Sequence, residues 1–401
     1  MPKLLQINST ANWGSTGRIA EQIGAMAMAD GWESYIAYGR NAAPSRSKLI
    51  RVGTPLGQLW HLVLSQLFDL HGRGSLIATK RLVRQIEQLR PDVVHLHNLH
   101  GYYLNYKVLF DYLNRRDIPV VWTLHDCWAM TGHCAHFSEV GCDRWQTECG
   151  SCRGLAQYPI SRVGDSSQRN FRLKASLYAA NRNLHIVAVS EWLKKLVEKS
   201  ILRDAECRVI NNGVNLSRFC ALEGESTPPY RVIGVANRWA DSKGLADFCE
   251  LHRRLDASRF EIVLVGLSDE QLRQLPEGMV GIGRTDTAEQ LAELYSQATV
   301  FVNATYADTF PTTNLEAMAS GTPVVTYRTG GSPEAVSADT GIVVEQGDVE
   351  ALCKAVEQIA LKGRSHYSKA CRKRAEKLFD KQKNFRRYLE LYDEIINRNS
   401  K

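Results

Sequence analysis

The 401-residue chain has no apolar run long enough to cross a bilayer. Its first residues, MPKLLQINST, lack the long apolar core of a secretory leader. These two absences make a cytoplasmic protein the expectation, with any attachment to the inner face of the cell membrane being peripheral. There is no low-complexity tract and no repeat of solenoid period, so fibrous and solenoid architectures are excluded. Charge of one sign is scarce too: the net value is +7, with 23% of residues charged. That surplus suits an anionic small molecule or an anionic membrane surface, and it is too diffuse to argue for nucleic acid.

What is present is an ordinary globular composition, 44% apolar, over a length that calls for two domains. The first half alternates short apolar strands with helical patterns. The strands are Lys3–Asn8, Ser34–Tyr38, Asp92–His97, Val120–Leu124, His185–Val189 and Cys207–Ile210. Around Cys220–Pro229 the composition turns to ALEGESTPP, the best linker signal. The pattern then restarts at Arg231–Ala236, Glu261–Val265, Val280–Ile282, Val300–Asn303, Val324–Tyr327 and Gly341–Val344. Continuous apolar strands between helices indicate parallel sheets covered on both faces. The expected class is therefore α/β, with two Rossmann-like doubly wound domains whose strand ends face a central cleft. The expected boundaries are 1–215, carrying a cysteine-rich insert at 127–155, then 216–380, then a C-terminal helix over 381–401 packing back on the first domain. Helices are expected at Val349–Ala360 and Tyr367–Asn397.

The chemistry is concentrated in DTFPTTNLEAMASGTPVVTYRTGGSPE, Asp308 to Glu334. The order is loop, helix, strand, loop. Such a loop sets free N–H groups at a helix start, where a phosphate or sugar oxygen can sit. Asp308 stands at the mouth and Glu316 about two turns along. The plainer alternative makes Asp308 a cap and Glu316 a solvated side chain. Upstream, Arg238 and Lys243 in ANRWADSKG follow the first strand of the second half, where a forked cation and a point cation can clamp a diphosphate. His125-Asp126 closes the strand VVWTL, and a histidine at the carboxyl end of a parallel strand can bond a sugar hydroxyl. His97 and His100 close the preceding strand in the same way. Gly14 and Gly17, in the loop after the first strand, allow backbone to approach a diphosphate, although this is not the GxGxxG dinucleotide fingerprint.

In this order (glycine loop, strand-end histidine, Arg–Lys pair, Asn211-Asn212-Gly213-Val214-Asn215, acidic loop and EAMASGTPV) the chain resembles the retaining family-4 glycosyltransferases of GT-B fold, over nearly its full length. The resemblance implies that Asp308, in place of the family's usual glutamate, meets the transferred sugar's hydroxyls, and that Glu316 meets the nucleotide ribose. Phe310, Pro311, Thr312, Thr313 and Asn314 would form the backbone seat of sugar and diphosphate. Arg238 and Lys243 match the family's phosphate pair, and His125 its active-site histidine. The implied donor is a nucleotide-diphosphate sugar, the acceptor a saccharide or lipid-linked saccharide, and no cofactor is required for catalysis.

Ten cysteines divide into two sets. Cys127, Cys207, Cys220, Cys249, Cys353 and Cys371 are scattered and read as reduced, buried thiols. Cys134, Cys142, Cys149 and Cys152 are clustered, and the closing C-x-x-C suits a structural zinc; reduced thiols and disulfides are the alternatives. The segment resembles cysteine-bearing inserts of polysaccharide-building members of the family. Two further readings compete with sugar transfer: a nucleotide-sugar epimerase of the same fold, and a zinc-containing nucleic-acid-binding protein argued from the cysteines and the basic C-terminal stretch. One helix stands apart. Leu56–Leu70, LGQLWHLVLSQLFDL, could lie on a membrane or a lipid acceptor, but it lacks a Lys/Arg face and reads as a core helix.

Overall fold

The computed structural model describes residues 1–221, 224 and 227–399; residues 222, 223, 225 and 226 of the expected linker lie outside them. The chain forms two compact units, Met1–Ile210 with Phe385–Lys401, and Asn211–Asn384.

The first unit runs β1 (Lys3–Asn8), α1 (Gly14–Ala29), β2 (Glu33–Tyr38), β3 (Lys48–Arg51), α2 (Pro55–Phe68), α3 (Leu76–Leu89), β4 (Val93–Leu96), α4 (Tyr106–Arg116), β5 (Val120–Leu124), α5 (Ser167–Ala179), β6 (Leu184–Ala188), α6 (Glu191–Val197) and β7 (Glu206–Val209). All strands are parallel, in the order β3-β2-β1-β4-β5-β6-β7. β4 and β5 are buried along their whole length, which is why they read as unbroken apolar runs. The edge strand β3 has no counterpart in the sequence reading, because KLIR is short and mostly exposed.

The second unit runs β8 (Tyr230–Val235), α7 (Leu245–Arg254), β9 (Phe260–Val265), α8 (Asp269–Gln274), β10 (Val280–Ile282), α9 (Ala288–Gln297), β11 (Val300–Asn303), α10 (Thr312–Ala319), β12 (Val324–Tyr327), α11 (Ser332–Ala335), β13 (Gly341–Val344), α12 (Val349–Lys362) and α13 (Arg364–Leu378). Its parallel sheet has the order β10-β9-β8-β11-β12-β13. Ser268 and Thr287 close capping boxes with Gln271 and Gln290, which fixes where α8 and α9 begin. In each sheet the chain winds outward and then returns beside its first strand. The reversal lies between β1 and β4 in one unit, and between β8 and β11 in the other.

The helix expected over Tyr367–Asn397 is two helices, α13 and α14 (Lys381–Asn399). Val214 donates its N–H to Phe379 at 2.7 Å and receives that of Lys381 at 3.2 Å, so a strand-like bridge replaces the helical bonds at Phe379-Asp380. From Phe385 onward, α14 buries Phe385, Tyr388, Leu389, Tyr392 and Ile395 against Leu4, Ile23, Val93 and Val121 of the first unit. In the basic C-terminal stretch Arg372 and Arg374 are partly buried, while Lys369, Lys373, Lys377, Lys383, Arg386 and Arg387 are exposed. Arg364 donates to the Ser320 carbonyl, Arg372 to those of Phe219 and Ala319, and Arg374 to those of Glu334 and Ala335. Arg372 and Arg374 are thus committed to backbone carbonyls, which takes two cations of this stretch away from any phosphate-binding face. Two further expectations change. Cys220 is exposed rather than buried, and of the helix expected in the core only His61 and Ser65 are buried.

Candidate functional site

At the reversal of the second sheet, Lys243 follows β8 and Asp308 follows β11. Parallel pairing of those strands brings together residues that are 65 apart in sequence: Lys243 Nζ lies 2.9 Å from Asp308 Oδ2 and 3.3 Å from Thr305 Oγ1. The ligand crevice of an open parallel sheet lies at this position. Gly244 closes the turn at φ +73°, and a side chain there would collide with the Ala304 carbonyl, so the close approach needs glycine. Both members of the pair are partly exposed, and such a pair adds at most about 1 kcal/mol to stability. Its interest is positional. Arg238 sits in the same turn and is exposed.

Asp308 does not cap α10. Its Oδ1 accepts the Phe310 N–H at 3.2 Å, and the cap position belongs to Pro311, which makes no side-chain cap bond. The expected seat of Phe310 to Asn314 amides therefore narrows. Pro311 has no N–H, and the Asn314 N–H goes to the Pro311 carbonyl at 3.3 Å. Thr312 and Thr313 remain as first-turn donors that no carbonyl of the helix itself can receive. The Asn314 side chain is a brace. It is buried, accepts from Asn303 at 2.8 Å and donates to the Ser332 carbonyl at 3.4 Å. Asn212 of the NNGVN segment donates to the Phe310 carbonyl at 3.1 Å, holding the loop from behind. Glu316 is partly exposed, and its Oε2 accepts the Tyr295 hydroxyl at 3.3 Å. Burial, then the carboxylate itself, pushes the Tyr295 phenol well above its ordinary value, so it stays a neutral donor. Tyr295, on α9, is a site residue that the sequence reading did not single out. An open cavity of about 420 Å³ lies against the same helix, lined by Ile282, Arg284, Thr285, Asp286, Gln290 and Glu293, and it contains none of the expected site residues.

In the first unit, Gly14 and Gly17 are not in a loop ahead of α1; they form its first turn, and Trp13 makes no side-chain cap bond. His125 follows β5 directly and belongs to a buried chain of hydrogen bonds. Gln6, in the middle of β1, donates its amide to the Ala20 carbonyl at 2.7 Å, which turns its own carbonyl toward His97 Nε2 at 3.1 Å. His97 therefore carries its proton on Nε2 and offers Nδ1 to His125 Nε2 at 3.0 Å. His125 then donates from Nε2, and a neutral ring in that tautomer carries its acceptor on Nδ1. Burial lowers the His125 imidazole to about 4, so the ring is neutral near pH 7. The His97 ring centre lies 4.1 Å from that of His95, the rings tilted by 33°, and His97 is likewise held well below its ordinary value by burial. His100 Nε2 lies 2.6 Å from Asp126 Oδ2, and its Nδ1 lies 3.1 Å from the Tyr158 hydroxyl. Burial works against the Asp126 charge, but His100 and the Trp128 N–H outweigh it and hold the carboxyl below the usual range.

The two units also match known proteins. Residues 18–218 match the model of Glycosyltransferase Family 4, and residues 230–361 that of Glycosyl transferases group 1. The chain belongs to glycosyltransferase family 4. The "Putative colanic acid biosynthesis glycosyl transferase WcaC" of Escherichia coli K12 is 24% identical over 385 residues, which is 86% of this chain and 88% of the relative. A D-inositol 3-phosphate glycosyltransferase of Corynebacterium jeikeium is 28% identical over 55% of this chain and 60% of its own. Sucrose-phosphate synthase from Thermosynechococcus elongatus superposes with a TM-score of 0.74 at 17% identity, over 99% of this chain and 100% of that one. Anabaena HepE in complex with UDP gives a TM-score of 0.67 at 15% identity, over 98% and 100%. The fold of this glycosyltransferase is thus GT-B, and its relatives include enzymes of polysaccharide biosynthesis.

The cysteine lobe of the glycosyltransferase spans the segment between β5 and α5 and contains only 3-10 turns. Lys174 of α5 holds it. The buried ammonium donates to the carbonyls of Trp128 and Thr131 at 2.6 and 2.9 Å and lies 3.4 Å from the Trp128 ring centre. Burial lowers this lysine to about 7. His133 Nδ1 lies 2.5 Å from Asp69 Oδ1, while its buried Nε2 has no hydrogen-bond partner among the described residues. All four clustered cysteines are free thiols. Cys134 and Cys152 lie 3.8 Å apart, and Cys149 Sγ accepts the Gly132 N–H at 3.2 Å. Zn–S bonds of about 2.3 Å give a tetrahedron edge of about 3.8 Å, so the Cys134–Cys152 pair already has zinc spacing. Among the described residues, no three ligating side chains are gathered around one point.

Proposed function

We propose that this glycosyltransferase moves a sugar from a nucleotide-diphosphate donor to a saccharide or lipid-linked saccharide with retention of configuration and without a catalytic metal. The observation that carries the reading is the Lys243–Asp308 pair at the β8/β11 reversal, beside the uncapped start of α10 and two turns from Glu316. The bond between the sugar's anomeric carbon and the diphosphate oxygen breaks, and the acceptor oxygen attacks the same face. Its proton passes to the departing phosphate. Lys243, Arg238 and the Thr312 and Thr313 amides supply positive charge where the leaving group gains negative charge, which is the role a metal would otherwise fill. Glu316 takes the ribose hydroxyls and Asp308 the sugar hydroxyls; the role assigned to His125, in the first unit, is that of the family's active-site histidine. HepE, a structural neighbour, is known in complex with UDP and with UDP-glucose, which supports a nucleotide-sugar donor.

The test is product analysis with a panel of nucleotide sugars, with and without oligosaccharide acceptor and chelator. A new glycosidic bond of the donor's anomeric configuration, formed at an unchanged rate in EDTA, is the expected result. Inversion at the anomeric carbon, or an epimerised nucleotide sugar without acceptor, would replace this reading.

A structural zinc on Cys134, Cys142, Cys149 and Cys152 is part of the same proposal, supported by the Cys134–Cys152 spacing. Metal analysis of purified protein should find about one zinc per chain; a metal-free protein with an undiminished melting temperature rules it out.

A further inference from the structure

Helix α2 is turned inside out. It buries the polar His61 and Ser65, while Leu56, Leu59, Trp60, Leu67 and Phe68 stand exposed, Leu56 by 79% and Trp60 by 63%. Positions 56, 59, 60, 63, 64 and 67 follow the spacing of an apolar helical stripe, the face that a soluble helix turns inward. The helix cannot roll to hide it. His61 Nε2 receives the N–H groups of Gly72 and Gly74, both at 3.1 Å, and its Nδ1 lies 2.9 Å from Ser75 Oγ. The apolar surface continues at both ends. Arg162 and Gly164 donate to the carbonyls of Gln66 and Leu67 at 2.7 and 2.9 Å, which sets exposed Ile160 and Val163 beside the end of α2. At the other end, a side chain on Gly53 would touch Ala78 at 3.4 Å, which places exposed Leu76 and Ile77 near its start.

Charge selects what covers this face. Between Glu33 and Glu87 the chain carries eight Lys and Arg and one acidic residue, Asp69, which is buried against His133. Arg51, Lys80, Arg81 and Arg84 are exposed. The cations missing from α2 itself are supplied by its neighbours. We propose that α2 and these flanking residues form a docking surface for an anionic lipid bilayer, with the leucines, Trp60 and Phe68 set into the boundary between headgroups and chains and the cations against the headgroups. Among the described residues no helix is long and apolar enough to cross a membrane, so the attachment is to the surface.

Full-length protein sedimented with vesicles tests this. Binding to mixed phosphatidylcholine–phosphatidylglycerol vesicles should exceed binding to phosphatidylcholine alone by about tenfold or more, and should fall as salt is added. Trp60→Asp should lower it about tenfold, as should Lys80→Glu combined with Arg81→Glu. The charge pair lies on an exposed face of α3 and serves if the Trp60 variant fails to fold. Equal binding to both vesicle types, or binding indifferent to the charge pair, overturns the proposal. So does a dimer in free solution that Trp60→Asp dissolves without any vesicle binding, which would make a second copy the occupant. Calorimetric UDP binding, measured alongside, reads the transfer proposal separately, since neither variant touches the residues assigned to it.

Discussion

The two units place their candidate groups by opposite means. In the second, Lys243 and Asp308 are partly exposed, charged, and delivered by two loops that the sheet brings side by side. In the first, His125 is linked through His97 to Gln6 inside the sheet by a neutral chain of hydrogen bonds. A charged pair in a loop leaves a local signature, because its neighbours are glycines, prolines and helix starts. A buried neutral chain leaves almost none, because each member is set by a partner far away in sequence. The difference implies that substitutions in the second unit should strike the reaction and spare the fold, while those in the first should blur the two.

The sharpest separation should come from Lys243→Ala. Loss of one charge-stabilising group predicts a fall in kcat of about 10²–10³-fold, while the melting temperature moves by only a few degrees, as expected for an exposed pair. Turnover at the wild-type rate would remove Lys243 from the site. Glu316→Ala should weaken nucleoside diphosphate binding by about 10–100-fold, the worth of a hydrogen bond to a charged group; an unchanged calorimetric Kd would end the ribose assignment. Gln6→Leu should lower kcat about tenfold, with most of the loss in kcat rather than KM, because it frees His97 and hence His125 to change tautomer. Nitrogen NMR of the imidazoles checks this directly: an unaltered His125 tautomer would leave Gln6 a packing residue.

The smallest effect separates the units by pH. Burial lowers His125 and His61 from 6.5 to about 4, and holds His71, His95 and His97 well below 6.5. Between these values the unfolded chain binds more protons than the folded one, so stability rises with pH across the window. It should be complete above about pH 6.5 and lost as the pH falls toward 4. All histidines but His252 and His366 belong to the first unit, so that unit's melting transition should move and the other's should lag behind it. Parallel loss in both would mean that carboxylates dominate.

Much of the architecture was legible because buried parallel strands leave apolar runs, and among the described residues twelve of the thirteen strands fall on the expected runs or within a residue or two of them. β3 was not legible, since KLIR is an exposed edge. The break between α13 and α14 was not either, because Val214, more than a hundred and fifty residues upstream, makes it. Asp308, Glu316 and Lys243 could be read from their turns and helix starts. Tyr295, Asn212 and Gln6 could not, although a glutamine within LLQIN was a visible irregularity in an otherwise apolar strand. Helix α2 misled for a simple reason: periodicity tells which residues share a face, not which way that face points.

The first unit is closed by α14, whose Tyr392 bonds His95 at 2.6 Å and whose Phe385 and Leu389 fill the core beside β1 and β4. That sets a birth order. The residues up to Ile210 leave the ribosome ahead of Asn211–Asn384, yet they lack part of their own interior until the segment from Phe385 onward has been made. The middle of the chain is complete in itself and can fold earlier. A nascent chain stalled before Phe385 should therefore resist protease across Asn211–Asn384 while the residues before it remain susceptible, the reverse of the usual order of synthesis.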